Sequence, residues 1–247
     1  MREVHRLPVA KRGELKLGGL VPFSACDFPG MLAAVVFCQG CPWRCRYCHN
    51  PHLQPPRAVQ QLGWGAVRDW LTRRRGLLDA VVFSGGEPTA QGALEAAIRQ
   101  AHDMGFKVGL HTAGPYPRRL QRVLPYVSWV GFDVKTAFDC YTELTGAAGS
   151  GEATRRSLRA LLASGVPHEV RTTVHAKLVS GAALLELAAE LASLGVRRYV
   201  LQEFRAHGCS DAELSSSPPG DCAELGERLG AMFDSFELRR ASADPAS

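Results

Sequence analysis

A chain of 247 residues, 46 % hydrophobic and 21 % charged, has the length of one α/β domain and enough apolar side chains to bury a sizeable core. It holds no run of 18 apolar residues, which excludes an ordinary membrane-spanning helix, and residues 1–6 lack the apolar segment of a secretion signal. The net charge of +5 comes with arginines dispersed along the chain, at 73–75, 118–119 and 155–156, a pattern of solvated helix faces rather than of a nucleic-acid footprint. The eight cysteines are therefore expected in a reducing compartment, the cytoplasm, where thiols serve metal binding or catalysis more often than disulfides.

Short apolar runs alternate with helical patterns, without a repeat or a low-complexity block. Residues 32–37 read as a buried strand, followed by a cysteine-rich loop and a helix near 64–74. A second strand at 80–83 precedes a helix over 89–104, in which Leu94, Ala97, Ile98 and Ala101 recur at helical spacing and Gly105 stands as a cap. Strands at 107–110, 129–132, 169–174 and 198–201 complete a set of six. The clearest remaining helix, 182–194, carries Leu184, Leu187, Ala188 and Leu191 on one face. Beyond residue 205, positions 215–220 read as a loop, followed by a short helix and a polar tail to which no chemistry is assigned.

Strands alternating with helices imply parallel pairing, because right-handed crossovers return each strand beside its predecessor. Six units are two short of the common eight-stranded barrel. The expected fold is thus α/β, a partial (β/α)6 parallel barrel, with a doubly wound sheet as the alternative. In both, loops at the carboxyl ends of the strands form the site.

Directly after the first strand, Cys41, Cys45 and Cys48 stand in the pattern C-x3-C-x2-C. Three thiolates so close in sequence can wrap one cubane cluster, each ligating a different iron and leaving the fourth iron open to an amino and a carboxylate group. Cys38 extends the run to C-x2-C-x3-C-x2-C and His49 follows it, so a closed zinc site or a four-cysteine electron-transfer cluster is the alternative.

The three-cysteine motif resembles the signature of the radical S-adenosylmethionine superfamily. Its flanks, Asp27-Phe28-Pro29-Gly30, Gln39-Gly40-Cys41 and Cys48-His49-Asn50-Pro51, resemble those of glycyl-radical-enzyme activases, and among these the chain is most similar to anaerobic ribonucleoside-triphosphate reductase activating proteins. The resemblance covers about residues 17–205 and implies a single domain over 1–247, with 206–247 as a C-terminal extension. It also implies a 4Fe-4S cluster on Cys41, Cys45 and Cys48, with S-adenosylmethionine as the second cofactor. An electron from a donor such as flavodoxin or ferredoxin then cleaves S-adenosylmethionine to a 5′-deoxyadenosyl radical. That radical takes a hydrogen atom from a glycine of a partner glycyl radical enzyme, anaerobic ribonucleotide reductase; neither nucleic acid nor membrane is an expected partner. Two alternatives stand beside this reading: a deazaguanine-synthase-like radical enzyme acting on a small molecule, and a non-catalytic electron-transfer or zinc module.

Other candidate residues sit at the remaining strand ends. Ser84-Gly85-Gly86-Glu87-Pro88 follows the second strand, where glycines let a backbone approach a ligand and their amides with Glu87 can bind a charged amino-acid head. An ordinary glycine turn reads the same way, and it is the resemblance that makes Gly85, Gly86 and Glu87 a methionine-binding motif. Thr112, beside His111, can contact a ribose. Asp133 and Lys135 fall on one side of the chain by period-two geometry, where they can hold ribose hydroxyls and a ligand carboxylate, or form a plain surface ion pair. They resemble the Asp-x-Lys of the activases, continued by Tyr141, Leu144, Thr145 and Gly146. The resemblance adds Tyr47, Arg171 and Gln202 as cofactor contacts. Cys26, Cys140, Cys209 and Cys222 have no mutual spacing that implies a second cluster, and His175 reads as a loop histidine.

Overall fold

Val35 and Val36 stand in the middle of an extended, doubly covered segment, since β-branched side chains fit a pleated surface buried on both faces. In the computed structural model, which describes residues 10, 11, 13–57, 62–217 and 223–241, that segment is the second strand. The expectations for residues 1–6, for the loop at 218–220, for Cys222 and for the end of the tail lie outside the described residues.

Strand β1 (Lys16–Ser24) pairs antiparallel with β2 (Ala33–Cys38) and, at Lys16 and Leu17, with the two-residue β3 (Leu62–Gly63), which leads into α1 (Trp64–Thr72). Then come β4 (Ala80–Gly85), α2 (Leu94–Asp103), β5 (Lys107–Thr112), α3 (Pro117–Val123) and β6 (Trp129–Asp133). β4 lies between β2 and β5, parallel to both. These elements make up most of a first compact unit, which takes the chain through Pro42, His52–Thr112 and Arg118–Val130. In its core, Phe28, Ala33, Val35, Ala80, Val82 and Trp129 form one buried cluster. Helix α2 buries Leu94, Ala97, Ile98 and Ala101 as their spacing requires, and the chain leaves it through Gly105 at φ +91°, a left-handed turn for which glycine carries no Cβ penalty.

A second compact unit comprises Trp43–Pro51, Ala113–Pro117 and the chain from Gly131 onward. It holds the end of β6, α4 (Tyr141–Thr145), α5 (Ser150–Ser164), β7 (His168–Val174), α6 (Gly181–Ser193), β8 (Arg198–Glu203), α7 (Ala212–Ser215), α8 (Ala223–Gly230) and β9 (Ser235–Arg239). β7, β8 and β9 are parallel neighbours. Leu184, Leu187, Ala188 and Leu191 of α6 are buried.

The six expected strands all form, as β2, β4, β5, β6, β7 and β8, and the architecture is α/β with a mostly parallel sheet. The departures lie at its edges. β1 and β3 were not anticipated, and neither was β9 in the polar tail. There Phe236 alternates with Glu237, Leu238 and Arg239, and Tyr199 packs against Phe233 and Phe236 at ring distances of 4.8 and 6.2 Å. Arg239 also closes on the buried carboxylate of Glu169 through bonds of 2.8 and 3.0 Å.

Candidate functional site

In the first unit the chain leaves β2 through a segment fixed almost wholly by backbone. The backbone N–H of Gly40 donates to Leu53 O and that of Cys41 to Gln54 O, at 2.7 and 3.0 Å, while the side-chain Nε2 of Gln39 donates to the carbonyls of His52 and Pro55. Gly85, the last residue of β4, and Gly86 after it pack onto this same segment. A Cβ on Gly85, whose φ is +115°, would stand 2.4 Å from Cys38 N, and one on Gly86 would stand 2.6 Å from Gly40 O and 2.8 Å from Leu53 O. Gly86 N donates to Cys38 O and Glu87 N to Gly40 O. The close approach that the paired glycines permit is thus made to the chain's own start of the cysteine loop.

Glu87 and Thr112, separate candidates in the sequence, are bonded to each other. The buried carboxylate oxygen Oε1 of Glu87 accepts from Thr112 Oγ1 at 2.7 Å and from both the amide and the hydroxyl of Thr89. Burial, helped by the charge of Glu87, pushes the Cys38 thiol far above its ordinary range, so Cys38 stays a neutral thiol inside β2. The flank 27–30 is structural: Phe28 packs on Trp129 at 5.5 Å, and Asp27 O lies 2.9 Å from His111 Nε2.

Cys41 belongs to the first unit, Cys45 and Cys48 to the second. All three are half-buried and free of disulfides. In the second unit Cys48 N donates to Cys45 O, Arg44 N donates to Thr145 O, and Trp43 meets Tyr141 edge-on at 5.8 Å. Tyr47 is buried against Phe204 and Leu214, with Cys45 at the edge of the same cluster. Its hydroxyl has no hydrogen-bond partner among the described residues. The Lys135 ammonium sits over its ring, 5.4 Å from the centroid. Burial raises the Cys45 thiol, partly offset by the Lys135 charge. Lys135 stays protonated: burial opposes its charge, and Tyr47, Cys45 and Asp133 outweigh that.

Asp133 lends its charge to Lys135 and is itself paired with an arginine. Arg171 Nε donates to Asp133 Oδ1 at 2.8 Å and its Nη2 to Gly131 O at 3.3 Å. The guanidinium occupies the space that a Cβ on Gly131 would need. Arg171 is thus a holder of Asp133, and Lys135 N in turn donates to the Tyr141 hydroxyl. Gln202 is half-buried on β8, in register with Thr173 of β7. His49, a possible zinc ligand by sequence, stacks on Phe204 at 5.5 Å with Nε2 2.9 Å from Arg205 O. His175 is in a loop as expected, but it is buried, with Nε2 3.2 Å from Leu214 O. The contacts of Arg171 and His175 were not legible because each joins residues remote in sequence.

Among the described residues no three His, Cys, Asp or Glu side chains are gathered about a single ion. A cubane asks for something else, since its three thiolates bind three different irons. The chemistry present fits such a cluster with a charged nucleoside ligand: three thiols outside any disulfide in a C-x3-C-x2-C run, a buried hydroxyl in that run without a hydrogen-bond partner among the described residues, and an ammonium over the ring that carries it. Among the described residues no helix is long and apolar enough to cross a membrane.

The profile of the Radical SAM superfamily matches residues 35–178, more than half of the chain, and the chain belongs to that superfamily. It is a radical S-adenosylmethionine enzyme, with a 4Fe-4S cluster and S-adenosylmethionine as cofactors. A protein of Methanocaldococcus jannaschii, provisionally named as a glycyl-radical enzyme activating enzyme, is 28 % identical over 235 residues, covering 90 % of this chain and 95 % of that one. The pyruvate formate-lyase-activating enzyme of Clostridium pasteurianum is 31 % identical over 131 residues; the match covers 51 % of this chain and about half, 55 %, of that relative's length. Among solved structures, QueE from Escherichia coli superposes with a TM-score of 0.61 at 18 % identity, over 93 % of this chain and 95 % of QueE, which is a likeness of fold.

Proposed function

We propose that this enzyme activates a glycyl radical enzyme by removing a hydrogen atom from a backbone glycine, with anaerobic ribonucleotide reductase as the partner. The observation that carries the reading is the similarity to the M. jannaschii protein along nearly the whole of both chains. Cys41, Cys45 and Cys48 hold the cluster, and Cys38, a protonated thiol within β2, does not. With both cofactors in place, the chemistry supplied is one-electron cleavage of S-adenosylmethionine to a carbon radical that abstracts hydrogen.

The chain's own side chains bind and orient. Lys135 offers its ammonium to the ligand carboxylate, a charge-assisted contact strengthened by burial. Tyr47 gives its buried hydroxyl to the ligand. Asp133, held by Arg171, accepts from ribose hydroxyls, and Gln202 lines the same ligand. Gly85 and Gly86 set the start of the cysteine loop, while Glu87 and Thr112 brace the turn that follows β4. The electron donor is a flavodoxin or a ferredoxin, and the compartment is the cytoplasm.

The test combines this protein in catalytic amount with dithionite, S-adenosylmethionine and the reductase. A persistent radical doublet on the partner, collapsing when the glycine α-hydrogen is replaced by deuterium, is the expected result. Cleavage of S-adenosylmethionine with deuterium taken only from a small metabolite would leave a radical enzyme of another substrate class.

A further inference from the structure

Arg46 stands between Cys45 and Tyr47, and its side chain reaches a segment 165 residues away. Nε donates to Asp211 Oδ2 at 2.8 Å and Nη2 to Glu213 Oε2 at 2.9 Å, while Lys177 Nζ holds the other oxygen of Glu213 at 3.2 Å. Asp211 uses its second oxygen to cap α7, accepting from Leu214 N at 3.1 Å. The backbone of the cysteine loop is gripped by the same segment. Cys209 Sγ donates to Arg46 O at 3.5 Å, and His49 Nε2 lies 2.9 Å from Arg205 O. Gly208, at φ +84°, passes so close to His49 that a Cβ there would stand 2.5 Å from His49 O. At the far end Leu214 O is fixed by the buried His175, whose Nδ1 accepts from Lys177 N.

All of these contacts except that of Lys177 N with His175 involve residues 46–49 or residues 205–214. The charged pairs are half or more exposed at Arg46 and Glu213, 50 and 60 %, a setting in which ion pairs add little to overall stability. Their concentration on the spacer between two cysteines gives them a different effect, on the shape of that spacer. The hydrogen bonds of Arg46 also hold the Asp211 and Glu213 carboxyls below their ordinary range, as paired carboxylates are.

We propose that residues 205–214 are a strap that holds the cysteine loop in its ligating shape, with Arg46 as the positioning residue that anchors it. This rests on the reading of Cys45 and Cys48 as cluster ligands. The strap gives a task to the beginning of the C-terminal extension. It makes retention of the cluster sensitive to salt, because the anchor is an exposed charge pair.

The experiment compares the reconstituted wild type with Arg46→Ala for loss of iron to a chelator, for melting temperature, and for tryptic cleavage after the exposed Arg205 in the metal-free chain. The variant is expected to lose iron about tenfold faster, the scale of effect seen when partners that orient metal ligands are removed. Its melting temperature stays that of the wild type, and Arg205 is cut more readily, since a released strap opens locally. In about 1 M salt, where the screening length is about 3 Å, the wild type approaches the variant and the variant does not change. Iron loss at the wild-type rate together with undiminished protection of Arg205 overturns the proposal. Should Arg46→Ala fail to fold, Glu213→Gln, which spares the Asp211 pair, is read in the same way with smaller effects. Failure of the underlying ligand assignment looks different: the chain then takes up the same iron with Cys45 and Cys48 replaced by alanine, while the cleavage at Arg205 still decides the strap.

Discussion

The Lys135 ammonium lies 5.4 Å from the centre of the Tyr47 ring, and the buried hydroxyl of that tyrosine has no hydrogen-bond partner among the described residues. A cation over an aromatic face, next to an unmet hydroxyl, is an arrangement waiting for an anionic, hydrogen-bonding ligand. Lys135→Ala is therefore expected to weaken S-adenosylmethionine binding by about 10- to 100-fold, the value of one charge-assisted contact, with iron content unchanged. Calorimetric titration and iron assay check both halves. Loss of iron with nucleoside affinity intact would place Lys135 in the cluster's support instead.

Gly86 separates two accounts of the glycine pair. If its role is to let the turn after β4 meet the carbonyls of Gly40 and Leu53, then Gly86→Ala overpacks a backbone that cannot retreat, at a cost of about 1–3 kcal/mol. Denaturant unfolding of the metal-free protein then shows the loss directly. An unchanged unfolding midpoint with weaker ligand binding alone would return Gly86 to the role of a ligand cradle.

How much of this was open to sequence reading depends on how local each cause is. Strands β2 and β4 and helices α2 and α6 announce themselves because their burial follows from their own residues, as with Leu184, Leu187, Ala188 and Leu191. β1 hides its period behind Gly18 and Gly19 and behind register shifts on either side of residues 19–21. β9 did carry a signal, the alternation of Phe236 and Leu238 with charged residues, but it is short and set in a polar tail. The cysteine run, Asp133, Lys135 and the glycine pair were all legible as candidates. What they touch was not, because the partners of Gly86 and Arg171 come from other strands and loops, and the strap on Arg46 from the far end of the chain.

The attachment of β9 gives a stability prediction. Glu169 is 2 % exposed and takes two hydrogen bonds from Arg239, with Arg198 farther off at 3.4 Å. Arg239→Ala leaves that carboxylate with Arg198 alone and without its two hydrogen bonds, and is expected to destabilise the protein by about 1–3 kcal/mol. The same arginine holds the Glu237 carboxyl below its ordinary range by a hydrogen bond. Glu237 thus contributes stability that is present above the ordinary carboxylate range and lost as pH falls through its lowered folded value. Unfolding measured along a falling pH series is expected to show this loss in the wild type and less of it in Arg239→Ala. Equal stability of the two proteins at neutral pH would contradict the assignment.

Cys41, Cys45 and Cys48 alone are proposed to hold a cluster with one iron open to S-adenosylmethionine. Electron paramagnetic resonance of the reduced, reconstituted protein tests it most directly, recorded with and without S-adenosylmethionine for the wild type and four single cysteine-to-alanine variants. The account predicts a reduced 4Fe-4S signal that shifts when S-adenosylmethionine is added, is preserved in Cys38→Ala, and is lost or strongly diminished in Cys41→Ala, Cys45→Ala and Cys48→Ala. A wild-type signal indifferent to S-adenosylmethionine, or one that disappears with Cys38, would contradict it.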